Sequence, residues 1–274
     1  MQLRGRDLRW GERTYVMGIV NVTPDSFSGD GIEEAQAAAA FAVRQAQGAD
    51  IVDIGAESTR PGHAPVDEAA ELQRLLPVLR AVRAQLPDVV ISVDTHKPAV
   101  FEAAHAHGAD ILNSIWGLPE PLLASAARAG VPVVVMHNQT GTSYAGRVID
   151  EVKRFLLEAA HRALHAGISR ERIVLDPGIG FGKTPDQNIE VLRDLRAITA
   201  LGFPTLIGTS RKSTIGKLTG KAPPQRVFGT AATTALAVAA GIDIVRVHDV
   251  DAALDAVHVS DAIVRNWRPQ EWMS

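Results

Sequence analysis

Apolar positions along the chain gather into short runs at 16–20, 51–54, 89–93, 111–112, 131–135, 173–175, 205–207 and 244–247. Most are continuously apolar rather than alternating, as expected of strands covered on both faces in a parallel sheet. Between them, stretches rich in Ala, Leu, Glu and Arg carry helical spacing at 32–47, 68–86, 98–107, 148–166, 188–201, 226–240 and 251–267. The pattern predicts a repeated βα unit. A short repeat marks its junctions: Gly48-Ala49-Asp50-Ile51, Gly108-Ala109-Asp110-Ile111 and Gly241-Ile242-Asp243-Ile244 each stand between a predicted helix and a predicted strand. Gly130, Gly167 and Gly202 fall at comparable places, where glycine takes the left-handed conformation that closes a helix. Eight strands with eight crossovers in ~250 residues are the arithmetic of a (β/α)8 TIM barrel, with an open doubly wound sheet as the alternative. Residues 1–14, with Trp10-Gly11, are read as a hairpin closing the barrel floor. Without a linker or low-complexity tract, 1–274 reads as a single domain.

Each run ends in hydrogen-bonding residues. In chain order these are Asn21; Glu57-Ser58-Thr59-Arg60; Asp94; Asn113; His137-Asn138; Asp176; Ser210-Arg211-Lys212; and Arg246 with His248. A parallel barrel opens all its carboxyl ends on one face, so these residues are expected to converge there. The connections after the first two runs, through 31 and across 58–65, are rich in Pro, Gly and Ser and longer than usual βα turns; such loops close over substrates. Arg211, Lys212, Arg246 and His248 supply four candidate cations at the ends of strands seven and eight, where barrels often hold phosphate, so an anionic group is the expected ligand. Neighbouring Asn21 offers a neutral oxygen to Mg2+, which keeps most of its waters when it binds phosphates. Asp94, Asn113 and Asp176 suit a flat heterocycle with an exocyclic amine beside a ring N–H, since ionised carboxylate accepts two parallel bonds. Structural salt bridges to Lys212 or Arg246 are the other use open to Asp94 and Asp176.

Composition narrows the partners. With 28 Lys and Arg against 31 Asp and Glu, the net charge is −3, and no basic field exists to hold nucleic acid. The lack of cysteine excludes disulfides, thiolate metal sites and a cysteine nucleophile. Charges interrupt the N-terminus before a secretory h-region forms, and no apolar run approaches the ~18 residues that span a bilayer, so a cytoplasmic protein with no membrane partner is expected. Gly178-Ile179-Gly180-Phe181-Gly182-Lys183-Thr184 has Pro177 where a P-loop needs its first glycine, and is read as a tight βα loop bringing backbone and Phe181 near the ligand. His161 and His165 have metal-compatible spacing, but Arg162 replaces the glutamate of a metalloprotease helix; a solvated face is expected.

Six segments together closely resemble the dihydropteroate synthases, folate-pathway members of the pterin-binding family. They are Asn21-Val22-Thr23-Pro24-Asp25-Ser26-Phe27-Ser28, Glu57-Ser58-Thr59-Arg60-Pro61-Gly62, Ser92-Val93-Asp94-Thr95, Asp176-Pro177-Gly178-Ile179-Gly180-Phe181-Gly182-Lys183, Ser210-Arg211-Lys212-Ser213 and Arg246-Val247-His248-Asp249, in the family's order. The resemblance implies condensation of 6-hydroxymethyl-7,8-dihydropterin diphosphate with p-aminobenzoate, assisted by Mg2+, in a homodimer. It implies that Asp94, Asn113, Asp176 and Lys212 hold the pterin, with Ile115 and Met136 lining its pocket. Asn21, Arg246 and His248 would hold diphosphate and metal. Thr59, Arg60, Pro61, Phe181 and Ser213 would surround p-aminobenzoate, where sulfonamides compete in this family. Two departures, the order Ser28-Gly29-Asp30-Gly31 and Ala56 before Glu57, touch none of these residues. A methyltransferase of the same superfamily would share the pterin pocket without needing Ser210-Arg211-Lys212 beside Arg246-Val247-His248.

Overall fold

The computed structural model describes residues 1–22, 31–57, 66–269 and 272. A small antiparallel hairpin, β1 (Gln2–Leu3) and β2 (Arg6–Asp7), precedes eight parallel strands: β3 (Tyr15–Asn21), β4 (Ile51–Gly55), β5 (Val90–Asp94), β6 (Ile111–Ser114), β7 (Val133–Met136), β8 (Ile173–Asp176), β9 (Leu206–Ile207) and β10 (Ile244–Val247). Strands β3 to β8 pair in sequence, and β10 lies between β9 and β3. A parallel bridge from Leu175 to Thr205 joins the two ends of the sheet, reinforced by the Leu175 N–H donating to Pro204 O at 2.8 Å. That closure excludes the open doubly wound sheet.

The helices are α1 (Gly31–Ala46), α2 (Glu68–Gln85), α3 (Pro98–Ala106), α4 (Glu120–Ala129), α5 (Val148–His165), α6 (Pro185–Arg193), α7 (Arg196–Thr199), α8 (Ser213–Thr219), α9 (Val227–Ala239) and α10 (Val250–Val264). The segment expected as one helix over 188–201 is two. A Thr184–Gln187 capping box starts α6 at Pro185. After Asp194 the chain tightens into three-residue bonds, Ala197 N–H to Asp194 O at 2.8 Å and Ile198 N–H to Leu195 O at 2.9 Å, which turn Leu195 and Ile198 into the core. None of the helix candidates covered α4 or α8, both short; α4 nonetheless ends at Gly130, with φ 65° as anticipated. Among the described residues no helix is long and apolar enough to cross a membrane.

The Gly-x-Asp repeat has a physical explanation. Each aspartate precedes a strand and accepts an N–H at the start of the neighbouring one: Asp50 from Val16, Asp110 from Ile91 and Asp243 from Thr205, all at 2.9 Å. The stagger of a closed barrel leaves such donors without a ladder partner. Asp110 also takes Arg83 at 2.9 Å and Arg4 at 2.6 Å. Asp110→Ala therefore strands the Ile91 N–H and removes the carboxylate that Arg83 and Arg4 share. It should cost about 3 kcal/mol, read as a lower urea midpoint with an unchanged slope.

Side chains alternate along each strand, so every second one faces the barrel axis. At the floor these are Tyr15, Met17, Ile51, Val90, Ile111, Val134, Val174, Leu206 and Ile244, packed with Leu8 and covered by Met1, Leu3 and Trp10. Their neighbours Val52, Ile54, Ile91 and Val93 pack outward beneath the helices. Two residues beyond the floor layer, the same alternation points Asp53, Ser92, Asn113, Met136, Asp176 and Arg246 inward, with Asp94 and His248 above them.

Candidate active site

Register sets the first contacts. Asp94 and Asn113 stand opposite each other on β5 and β6, as do Met136 and Asp176 on β7 and β8. Arg246 reaches from β10 across the barrel: its Nε donates to Asp53 Oδ2 at 2.7 Å and its Nη2 to Asp94 Oδ2 at 3.0 Å. Asn113 Nδ2 donates to the same Asp53 oxygen at 3.2 Å. Asp53, Asp94, Asn113 and Asp176 are all buried. Burial pushes Asp94 up to about 7, with Arg246 opposing and Asp53 and Glu71 adding to the rise. Burial likewise pushes Asp176 up to about 6, against the Gly178 N–H and the charges of Lys212, Arg246 and Lys183. Burial disfavours the Arg246 cation, yet Asp53 and Asp94 outweigh it and hold the guanidinium above its ordinary value.

The glycine-rich segment after β8 is a tight loop with its own staple. Gly178, Gly180 and Gly182 have φ of 70°, 82° and 57°. Asp176 Oδ1 accepts the Gly178 N–H at 2.8 Å, and the Gly180 N–H donates to Asn188 Oδ1 at 2.7 Å. Buried Lys183 donates from Nζ to Gly178 O at 2.9 Å, Phe181 O at 3.1 Å and His137 Nδ1 at 2.9 Å. This lysine ties its own loop together rather than reaching for a phosphate. Burial pushes Lys183 down to about 7 and, with Lys183 beside it, His137 down to about 3.

Of the four cations anticipated at strands seven and eight, both arginines are paired with carboxylates and the histidine is neutral. Arg211, at φ 57°, turns its guanidinium onto Asp249, with Nε donating to Oδ2 at 3.0 Å and Nη2 bonding Oδ1. Burial, then Arg246 and Arg211, push His248 down to about 3, leaving a neutral imidazole whose Nδ1 lies 3.0 Å from Ser210 Oγ. Asp53 and Asp94 hold Arg246 as a cation. Lys212 caps α8, and its Nζ sits 4.0 Å from the centre of the Phe181 ring. Arg226 fixes that turn by donating from Nη1 to Arg211 O at 2.8 Å and Lys212 O at 3.3 Å.

Ile115 and Met136 are buried beside the acids, Asn21 ends β3 half-buried, and Ser213 is exposed at the start of α8. Thr59, Arg60 and Pro61, like residues 23–30, lie outside the described residues. The base of the 58–65 stretch is tied: Glu57 accepts the Val66 N–H at 2.9 Å, and Lys97 Nζ donates to Glu57 at 2.8 Å, Glu71 at 2.6 Å and Val66 O at 2.6 Å. Burial would raise Glu57, but Lys97 and the Val66 N–H hold it below the usual carboxylate range. His161 and His165 are exposed, and no cluster of three metal-ligating side chains occurs among the described residues. One residue escaped sequence reasoning, Asp53. Its signal is a carboxylate inside an otherwise apolar strand, Ile51-Val52-Asp53-Ile54.

Acceptors clustered in the mouth of a closed parallel barrel, with cations at their rim, define a (β/α)8 enzyme built to take a polar heterocycle. A family model described as pterin binding enzyme matches residues 17–248. The dihydropteroate synthase of Synechocystis is 46% identical, covering 94% of this chain and 92% of its own. A crystal structure of the Clostridium difficile dihydropteroate synthase in the presence of pteroic acid superposes with a TM-score of 0.90 at 47% identity, over 93% of this chain and 98% of that one. The Xanthomonas albilineans dihydropteroate synthase with 4-aminobenzoic acid has a TM-score of 0.89 at 45% identity, over 94% and 95%. The chain belongs to the dihydropteroate synthase family, transferases of a pterinylmethyl group.

For such a pocket the raised carboxyls set a pH limit. A ring whose N–H donors meet Asp94 and Asp176 needs both ionised, so its affinity should fall as pH drops through about 7 to 6, not near 4. Calorimetric titration between pH 5 and 9 measures it. For stability the sign is opposite: native carboxyls hold protons that unfolded ones release, so that contribution is present below the unfolded value and is lost as pH rises through 6 and 7.

Proposed function

We propose that this enzyme joins 6-hydroxymethyl-7,8-dihydropterin diphosphate to p-aminobenzoate, with Asp94, Asn113, Asp176 and Lys212 holding the pterin between Ile115 and Met136. The observation that carries this reading is the buried set of acceptors held around Arg246, with Lys212 at the head of α8, complementary to a ring edge of N–H donors. Phe181 and Ser213 are assigned to the aminobenzoate, and so are Thr59, Arg60 and Pro61, which lie outside the described residues. Arg246, neutral His248 and Asn21 receive the diphosphate. The methylene C–O bond breaks first, the diphosphate leaves with the electron pair, and the electron-rich dihydropterin over Asp94 and Asp176 carries the positive charge. The aniline lone pair then forms the C–N bond and the nitrogen sheds a proton to water; its nucleophilicity makes orientation matter more than a general base.

Mg2+ fits this donor set. A lone amide oxygen, Asn21, with no acidic cage among the described residues, suits an ion that keeps its waters and shares diphosphate oxygens. When bound, it neutralises charge on the leaving group. A homodimer is part of the proposal, supported by Phe228, Leu236, Val259 and Ile263 standing exposed on α9 and α10; sedimentation at micromolar protein should give twice the chain mass. The deciding experiment supplies purified enzyme with the pterin diphosphate and Mg2+, with and without p-aminobenzoate, and follows diphosphate release and dihydropteroate by chromatography. Aminobenzoate-dependent product is expected, abolished by EDTA. Pterin binding without product at any metal concentration or pH would overturn the reading.

A further inference from the structure

We propose that Asp53 is a positioning residue of the pterin pocket: from the middle of β4 it sets the polarity of the Asn113 amide and holds Arg246 against Asp94. The assignment rests on the pterin-binding reading above. Asp53 is fully buried between Val52 and Ile54, which pack outward, while its own side chain points into the barrel above Ile51. A leucine or valine would fill that space without desolvating a charge, so packing does not account for a carboxylate there.

Its contacts do. One oxygen, Oδ2, meets Arg246 Nε at 2.7 Å, Arg246 Nη2 at 2.6 Å and Asn113 Nδ2 at 3.2 Å. A carboxylamide has two N–H donors at one end and an acceptor at the other; with its nitrogen held on Asp53, Asn113 is oriented and its Oδ1 is left to the pocket. Asn113 then adds that oxygen to the acceptors of Asp94 and Asp176. The guanidinium is fixed by the same oxygen and shares its Nη2 with Asp94. Asp53 Oδ1 and Asp94 Oδ1 are buried with no hydrogen-bond partner among the described residues, and the Asp94 oxygen is the acceptor that carboxylate keeps for the ligand. The charged groups facing Asp94 are Arg246 from β10, Asp53 from β4, Glu71 from α2 and Lys212 at the head of α8. Arg246 and Lys212 favour its ionised form, and Asp53 and Glu71 oppose it.

Two variants separate these effects. Asp53→Asn keeps shape and an acceptor oxygen but removes the charge; Asp53→Leu removes both. Binding of 6-hydroxymethylpterin is measured by calorimetry from pH 5 to 9, with circular dichroism confirming the fold. Asp53→Asn should weaken binding about 10-fold and Asp53→Leu about 100-fold. In Asp53→Asn the acid limb should also move to lower pH, because a charge opposing ionisation of Asp94 is gone. Unchanged affinity overturns the proposal, and so does a loss with the acid limb unmoved, the mark of a merely structural residue. If Asp53→Leu fails to fold, the limb in Asp53→Asn decides alone. Product formation by the unaltered enzyme tests the synthase reading separately, so product can fail while the Asp53 effects stand. Absence of pterin binding by the unaltered protein overturns both.

Discussion

Lys212→Ala is expected to lower kcat/KM for the pterin diphosphate by about a thousandfold, to near the detection limit. Three features of this lysine converge. Its side chain runs along the backbone of Gly180, where an added Cβ would lie 3.0 Å from its Cδ. Its ammonium ends 4.0 Å from the Phe181 ring centre, between the proposed pterin and aminobenzoate sides. Its charge also acts on both Asp94 and Asp176, favouring the ionised state of each. Alanine removes the cation, lets both carboxyls bind protons at higher pH and leaves the Phe181 face unoccupied. The acid limb of the pH profile should therefore move upward together with the loss. Asp176→Ala should match it in severity, since it removes an acceptor and also strands the Gly178 N–H held at 2.8 Å. Steady-state kinetics in both substrates check the point. A variant retaining a tenth of the activity would show that Lys212 is dispensable.

Gly178→Ala is expected to cost about 3 kcal/mol or more and to remove activity, although no side chain of chemical use is lost. The residue has φ of 70°, and a Cβ there would fall 1.9 Å from the His137 carbonyl oxygen, a backbone atom that no rotamer change displaces. Relief requires the loop to move, and the loop carries Phe181 and the Lys183 staple with it. Gly141→Ala is the matched control: φ is 81°, but nothing lies within 4 Å of the added carbon, so only the left-handed backbone term of about 1 kcal/mol applies. Thermal melts of the two variants should differ by several degrees. Equal melting temperatures would refute the close approach.

Much of this molecule was legible before any coordinates. Repeated short apolar runs could be read as strands because strands buried on both faces need no polar alternation, and their number and spacing pointed to a barrel. Asp94, Asn113 and Asp176 could be picked out because they follow directly on those runs, and Lys212 and Arg246 because they fall at or just past the ends of the last two; parallel strands carry their ends to one face. The Gly-x-Asp repeat was visible as a pattern, but its use was not. Each of those aspartates bonds the strand beside it, and that neighbour is fixed only by barrel order and stagger.

Asp53 shows the same limit at the site. It lies inside a strand rather than at its end, and its partners Asn113 and Arg246 are 60 and 193 residues away along the chain. Charge states were equally hidden, because four basic residues in sequence look alike. Only the fold turns Arg211 to Asp249, buries His248 into neutrality and sets Arg246 between Asp53 and Asp94. Local residue order determined the strands, most of the helices, the glycine turns and the polar side chains at the strand ends, since these depend on neighbours a few positions apart. Tertiary structure alone decided which of those side chains meet, which pair off and which stay charged, because burial and distance between remote segments exist only once the barrel has closed.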